Sequence, residues 1–128
     1  MVAKSSALTK QGVLEAIRNG WFYASTGPRI TDLRICGDEV VVETTPVRNI
    51  EFVSAPWFCR TFRSADGGLI TQATYGIQQL GTRENMRALL AKSKEVGLLS
   101  EDEPFGGYFR VECEDAHGRR AWTNPIAI

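Results

Sequence analysis

The strongest constraint on the fold is a rhythm. Short β-branched or aromatic runs recur along the chain, and Gly, Pro and Asp turn signals separate them. Residues 30–35 read as a strand, and Gly37-Asp38 as a turn. Residues 39–44 (E-V-V-V-E-T) form the most β-prone run and end at Pro46. Ile50, Phe52 and Ser54 alternate with Glu51 and Val53. A turn around Pro56 leads into residues 58–63, and Asp66-Gly67-Gly68 leads into residues 69–75. Phe109, Val111 and Cys113 share one face of a run at 108–113. Asp115-Ala116-His117-Gly118 then turns the chain into residues 120–128, which bend at Pro125. Short strands at fairly even spacing predict a mainly β chain, an antiparallel β-sandwich that is Ig-like in architecture. A cysteine pair around a buried tryptophan, the mark of true Ig domains, is not evident.

Two segments break the rhythm with helical periodicity. Thr9 suits an N-cap, and Gly20 suits the position just past a helix end. Between them Val13, Leu14 and Ile17 share one face, which Trp21 continues. Gly12 weakens the first turn by about 1 kcal/mol relative to alanine. So short a helix is marginal alone and needs a surface to pack on. The second segment starts at Thr82 and places Met86, Leu89, Leu90 and Val96 on one stripe before Gly97. It is expected as a helical insertion at about 82–97 in the β plan. Gly27-Pro28 marks the change of period, so the expected division is 1–27 and 28–128.

Composition narrows the function classes. Lys+Arg and Asp+Glu both number 15, and no basic stripe is visible, so nucleic acid is not an expected partner. The arginines at 60, 63, 119 and 120 read as solvated surface residues. No apolar run approaches the roughly 18 residues of a membrane span, and the first residues carry no apolar signal core. Cys36, Cys59 and Cys113 are far apart and form no C-x-x-C. They predict no zinc site, and each reads as a small buried hydrophobe. That usage suits a reducing cytoplasm. The single histidine, His117, falls in a hairpin turn. On this reading the chain holds no metal and no catalytic residue of its own.

The segment 8–28, L-T-K-Q-G-V-L-E-A-I-R-N-G-W-F-Y-A-S-T-G-P, resembles a recurrent segment of PHP-domain (polymerase and histidinol phosphatase) metal-dependent phosphoesterases. The likeness is to the bacterial branch related to carbaryl hydrolase. In that branch the segment lies at the end of the catalytic barrel, and a β-rich extension often follows. The tail, Tyr108-Phe109-Arg110-Val111-Glu112 through Gly118-Arg119-Arg120-Ala121-Trp122-Thr123-Asn124-Pro125-Ile126, resembles the end of that extension. The helix after Thr82 departs from the pattern. The family's barrel holds divalent metals through H-x-H and D-x-H motifs, none of which occurs here. The resemblance therefore implies a chain that begins after its parent's metal centre, with the metals only in an upstream barrel.

Several residues are singled out. Ser25, Thr26 and Gly27 offer hydroxyls and backbone N–H groups that could hold a phosphate as a small nest does; alternatively they form a tight connector whose hydroxyls satisfy their own backbone. Trp57 and Phe58 form a candidate aromatic ledge for a sugar or a protein partner, or else ordinary core. Trp122 reads as core. Glu101-Asp102-Glu103 reads as a solvated acidic loop.

Three functions are carried forward. The first is a non-catalytic accessory domain that braces the PHP-type barrel or mediates interactions, with the barrel or a second copy of the chain as partner. It predicts an exposed apolar patch at Val13, Leu14, Ile17 and Trp21. The second is a stand-alone carbohydrate- or protein-binding module that uses Trp57 and Phe58. The third is a small phosphoesterase with an unforeseen site, to be tested by substitution of Ser25 and His117.

Overall fold

The computed structural model describes residues 1–5, 7–54, 58–77, 91–92, 95 and 108–127. The chain is mainly β, with two antiparallel sheets closed on one core. The elements run β1 (Val2–Ala3), α1 (Lys10–Arg18), β2 (Phe22–Ser25), β3 (Ile30–Cys36), β4 (Glu39–Val47), β5 (Asn49–Ser54), β6 (Phe58–Phe62), β7 (Ile70–Gly76), β8 (Tyr108–Glu114), β9 (Arg120–Thr123) and β10 (Ile126–Ala127). The larger sheet has the order β1-β2-β9-β8-β5-β6, and β10 continues along the edge of β8 beside β9. The smaller sheet has the order β3-β4-β7. The bend at Pro125 thus divides the last run into β9 and β10, both paired to β8.

The sheets are stitched by one extended stretch. β4 lies in the smaller sheet and β5 in the larger, with only Arg48 between them. Val40, Val42, Val47, Ile50 and Phe52 all come from this stretch and are fully buried. From the facing strands Ala73, Phe109, Val111, Cys113 and Ala121 close the same core. Burying each large aliphatic or aromatic side chain stabilises the fold by about 1.5–3 kcal/mol. Phe52, Phe62 and Tyr75 form a triad across the two sheets, with ring centroids 5.5–5.8 Å apart and mainly edge-on, the arrangement that ring quadrupoles favour.

β4 corrects the expectation that its run ends at Pro46. The strand continues to Val47 because its pairing with β7 shifts register between Glu43 and Val47. Pro46 sits in that irregular stretch, where no partner strand needs its missing N–H. On the other edge the contacts stop one residue earlier, with Thr45 N–H donating to Arg29 O at 2.9 Å. A strand that changes sheets through a bulge is a recognised way to turn a sandwich corner.

The first helix forms where expected. Thr9 is extended and its Oγ1 accepts from Gly12 N–H at 3.1 Å. At the other end Trp21 N–H donates to Ala16 O at 2.8 Å and Gly20 N–H to Ile17 O at 3.2 Å. These two bonds, with Gly20 at φ 71°, make a Schellman motif. Phe22–Ser25, which follows it, is a strand not foreseen as one. It joins the larger sheet, so the change of period at Gly27 coincides with the crossing from that sheet to β3 in the smaller one. The expected helix at 82–97 falls outside the described residues except for Ala91, Lys92 and Glu95, which are helical and exposed.

Candidate functional site

α1 and the turn after β2 are the two places where the sequence points to function. α1 packs inward through its smallest residues. Ala16 is 1% exposed. A Cβ added at Gly12 would lie 2.6 Å from Ala7 O and 2.5 Å from Ser5 Oγ, so the preceding segment rests directly on the glycine. The large apolar residues face the other way. Leu14 and Ile17 are each 39% exposed and Trp21 58%, while Val13 is half-buried. Leu14 and Ile17, at spacing i, i+3, share one side of the helix, and the exposed Trp21 follows just past its Schellman end. The face that docks α1 on its own chain, Gly12 and Ala16, gave no signal in the sequence because small residues carry almost no apolar weight.

The Ser25–Pro28 turn is tied into the sandwich. Ser25 Oγ donates to Pro28 O and accepts from Gly27 N–H at 3.0 Å. Thr26 N–H donates to Arg120 O at 2.8 Å, and Thr26 Oγ1 accepts from Arg120 N–H at 2.9 Å. Both hydroxyls and both N–H groups that could have held a phosphate are therefore engaged within the chain. They make the tight connector that was the alternative reading. Gly27 lies under Arg119: a Cβ there would come within 2.9 Å of the Arg119 Cβ and closer still to its Nε.

Arg119 is held in turn by Asp115. Arg119 Nε donates to Asp115 Oδ2 at 2.7 Å, and the N–H groups of His117 and Arg119 donate to Oδ1 at 2.8 and 3.0 Å. Burial pulls the Asp115 carboxyl upward. The hydrogen bonds from Arg119 and His117, together with the Arg119 charge, outweigh it and hold the group below its ordinary 3.8. Arg48 closes the same corner, with N–H to Glu114 O at 2.7 Å and Nη2 to Ala116 O at 3.0 Å. His117 is exposed at the tip of this turn, as expected from the sequence. Ser25 and His117 belong to adjoining loops, but Ser25 is turned onto Pro28 and makes no contact with the imidazole among the described residues.

The remaining expectations divide. Trp57 lies outside the described residues, as does the side chain of Phe58; the Phe58 backbone pairs with Ser54. The acidic loop at 101–103 lies outside them too. Trp122 is not core but 42% exposed, on the outer face of the larger sheet between Glu112 and Ala24. Its neighbour Ala121 takes the inward position. Of the cysteines only Cys113 is buried; Cys36 ends β3 and Cys59 lies on the sheet's outermost strand, and both are exposed. Arg119 and Arg120 are exposed, as expected, and each also meets a carboxylate, Arg119 that of Asp115. Arg120 reaches Glu114 at 3.0 Å and Glu112 at 3.9 Å, and Arg110 reaches Glu112 at 2.7 Å. Exposed pairs of this kind add little to stability.

The divalent metals of PHP proteins, a family that the segment 8–28 resembles in part, can be tested against these groups. Among the described residues no three His, Cys, Asp or Glu side chains converge. Asp115, Glu112 and Glu114 are committed to arginines and backbone N–H groups. The described residues do not fit such a centre, and no step through a metal follows from them. No helix among them is long and apolar enough to cross a membrane. No protein-family model, curated protein or solved structure matches the chain.

Proposed function

We propose that this chain is a non-catalytic accessory domain, an Ig-like β-sandwich of a PHP-type metal-dependent phosphoesterase. Its task is to brace the catalytic barrel or to mediate its interactions, in the bacterial cytoplasm. The observation that carries the reading is the inverted packing of α1. A surface helix ordinarily turns its large apolar residues to its own core. Here Gly12 and Ala16 face inward and Leu14, Ile17 and Trp21 face solvent. The same residues fall within the segment that resembles the end of the PHP barrel. A helix that presents Leu14 and Ile17, with Trp21 just past its end, fits an apolar partner groove. Metals and catalytic groups belong, in this reading, to the barrel.

The test is co-expression. The coding sequence beside this chain is read for H-x-H and D-x-H motifs, and the encoded barrel is produced with the chain. Co-purification is expected, and it is lost in the variant Leu14→Ser, Ile17→Ser, Trp21→Ser. The purified chain alone should not hydrolyse a generic phosphate ester with added manganese or zinc. Hydrolysis by the chain alone, or a barrel that ignores the triple variant, would overturn the reading.

A further inference from the structure

An asparagine precedes a glycine at the C-terminal end of α1. Asn19 is followed by Gly20, it is exposed, and its carboxamide has no hydrogen-bond partner among the described residues. We propose that Asn19 is a site of spontaneous deamidation, with water as the only co-reactant.

The chemistry balances without an oxidant. Gly20 N attacks Asn19 Cγ, so a new C–N bond forms while the Cγ–Nδ2 bond of the carboxamide breaks. Ammonia leaves, and the proton lost from Gly20 N is returned to solvent or carried off with it. Water then opens the cyclic imide at either carbonyl. The products are aspartate or isoaspartate at position 19, the latter routing the backbone through the β-carbon and the former carboxamide carbon.

Three features favour this position. The attacking nitrogen belongs to a glycine, so no Cβ shields it. Its own hydrogen bond, Gly20 N–H to Ile17 O, is long at 3.2 Å and belongs to the helix's final turn, the part of a helix that frays first. The other described asparagines are excluded by their surroundings. Asn49 is buried and precedes Ile50, which is paired in the ladder. Asn124 donates from Nδ2 to Gly20 O and Phe22 O at 3.2 Å, and the next residue, Pro125, has no N–H to serve as attacking group.

The product works against the helix that makes it. A carboxylate at 19 sits at the negative end of the helix dipole. It also stands four residues after Glu15, where like charges repel. The isoaspartyl form further disrupts the Schellman closure. Loosening of α1 would weaken the apolar stripe it carries; that last consequence rests on the docking reading, whereas the chemistry does not.

The experiment uses the isolated protein. It is aged in warm, mildly alkaline buffer, digested and mapped by mass, beside Asn19→Gln and Asn19→Asp. Expected are progressive loss of the unmodified Asn19 peptide ahead of the Asn49 and Asn124 peptides, and no change at position 19 in Asn19→Gln. The aged protein and Asn19→Asp should both show faster amide exchange in α1. An Asn19 peptide that stays intact while other asparagines convert would overturn the site. Unchanged exchange in Asn19→Asp would overturn its effect on the helix. Neither readout involves a partner, so failure here is separable from failure of the docking reading.

Discussion

Thr44→Val is expected to stabilise the fold. Thr44 lies in β4, 5% exposed, and its Oγ1 has no hydrogen-bond partner among the described residues. Its backbone is paired to Ile30, so the orphan is the hydroxyl alone. Valine keeps the β-branched shape and the rotamer and replaces the hydroxyl by a methyl. A buried polar group without a partner costs about 1–3 kcal/mol in proteins. The unfolded state solvates that hydroxyl fully, so the substitution should return about that amount. For a domain of this size, each 1 kcal/mol raises the melting temperature by about 3–5 °C. The assay is urea unfolding followed by circular dichroism. The midpoint should rise with an unchanged slope, since the surface exposed on unfolding barely changes. A midpoint that is unmoved or lower would mean the hydroxyl is satisfied in solution, and the reasoning fails.

Three further outcomes follow from the same structure. Gly12→Ala should lower the urea midpoint: the helical preference for alanine is worth about 1 kcal/mol, but overpacking against the Ala7 carbonyl typically costs about 1–3 kcal/mol. Asp115, with its folded pKa depressed, contributes stability that is fully present above 3.8 and is lost as pH falls through the lower folded value; acid unfolding of Asp115→Asn should show a weaker pH dependence in that range. Burial raises the Cys113 thiol to about 11, so in the native protein iodoacetamide should label Cys36 and Cys59 while Cys113 reacts only on unfolding.

What the sequence disclosed followed the locality of each signal. Thr9 and Gly20 marked the ends of α1 correctly because capping is settled by a few adjacent residues. Most strands and the turn at His117 were legible for the same reason. One error concerns which face of β9 points inward. A strand's period of two assigns Ala121 and Trp122 to opposite faces but does not say which is core, and the larger residue was the wrong choice. On α1 the small Ala16 is likewise the inward residue, and Leu14 is exposed. At Gly12, one turn before Ala16, the preceding segment approaches closely and leaves no room for a side chain. Pro46 shows the complementary case: its missing N–H ended the strand on paper, but a bulge at that spot leaves no bond to lose. The Ser25–Gly27 turn was ambiguous because its hydroxyl partners Pro28 and Arg120 are supplied partly by the far end of the sequence.

The exposed stripe also constrains how its partner must be joined to it. A fully buried tryptophan removes about 150–250 Å² from water. With Trp21 58% exposed, covering the remainder gains about 2–4 kcal/mol at 25 cal/mol per Å². Leu14 and Ile17, each 39% exposed, add about 1 kcal/mol apiece on the same scale. The stripe thus offers about 4–6 kcal/mol from this side of an interface. Two free molecules lose about 4–15 kcal/mol of translational and rotational freedom on associating. A homodimer that covers two stripes gains about twice as much, about 8–12 kcal/mol, which falls within that range of cost and leaves little net affinity. A partner tethered to the protein, or held beside it by a second contact, escapes most of the loss through a high effective concentration. Sedimentation of the isolated protein at micromolar concentration should therefore find monomers, with association appearing only as the concentration rises. A tight dimer abolished by Trp21→Ser would refute the tethered arrangement and make the second copy the natural occupant of the stripe.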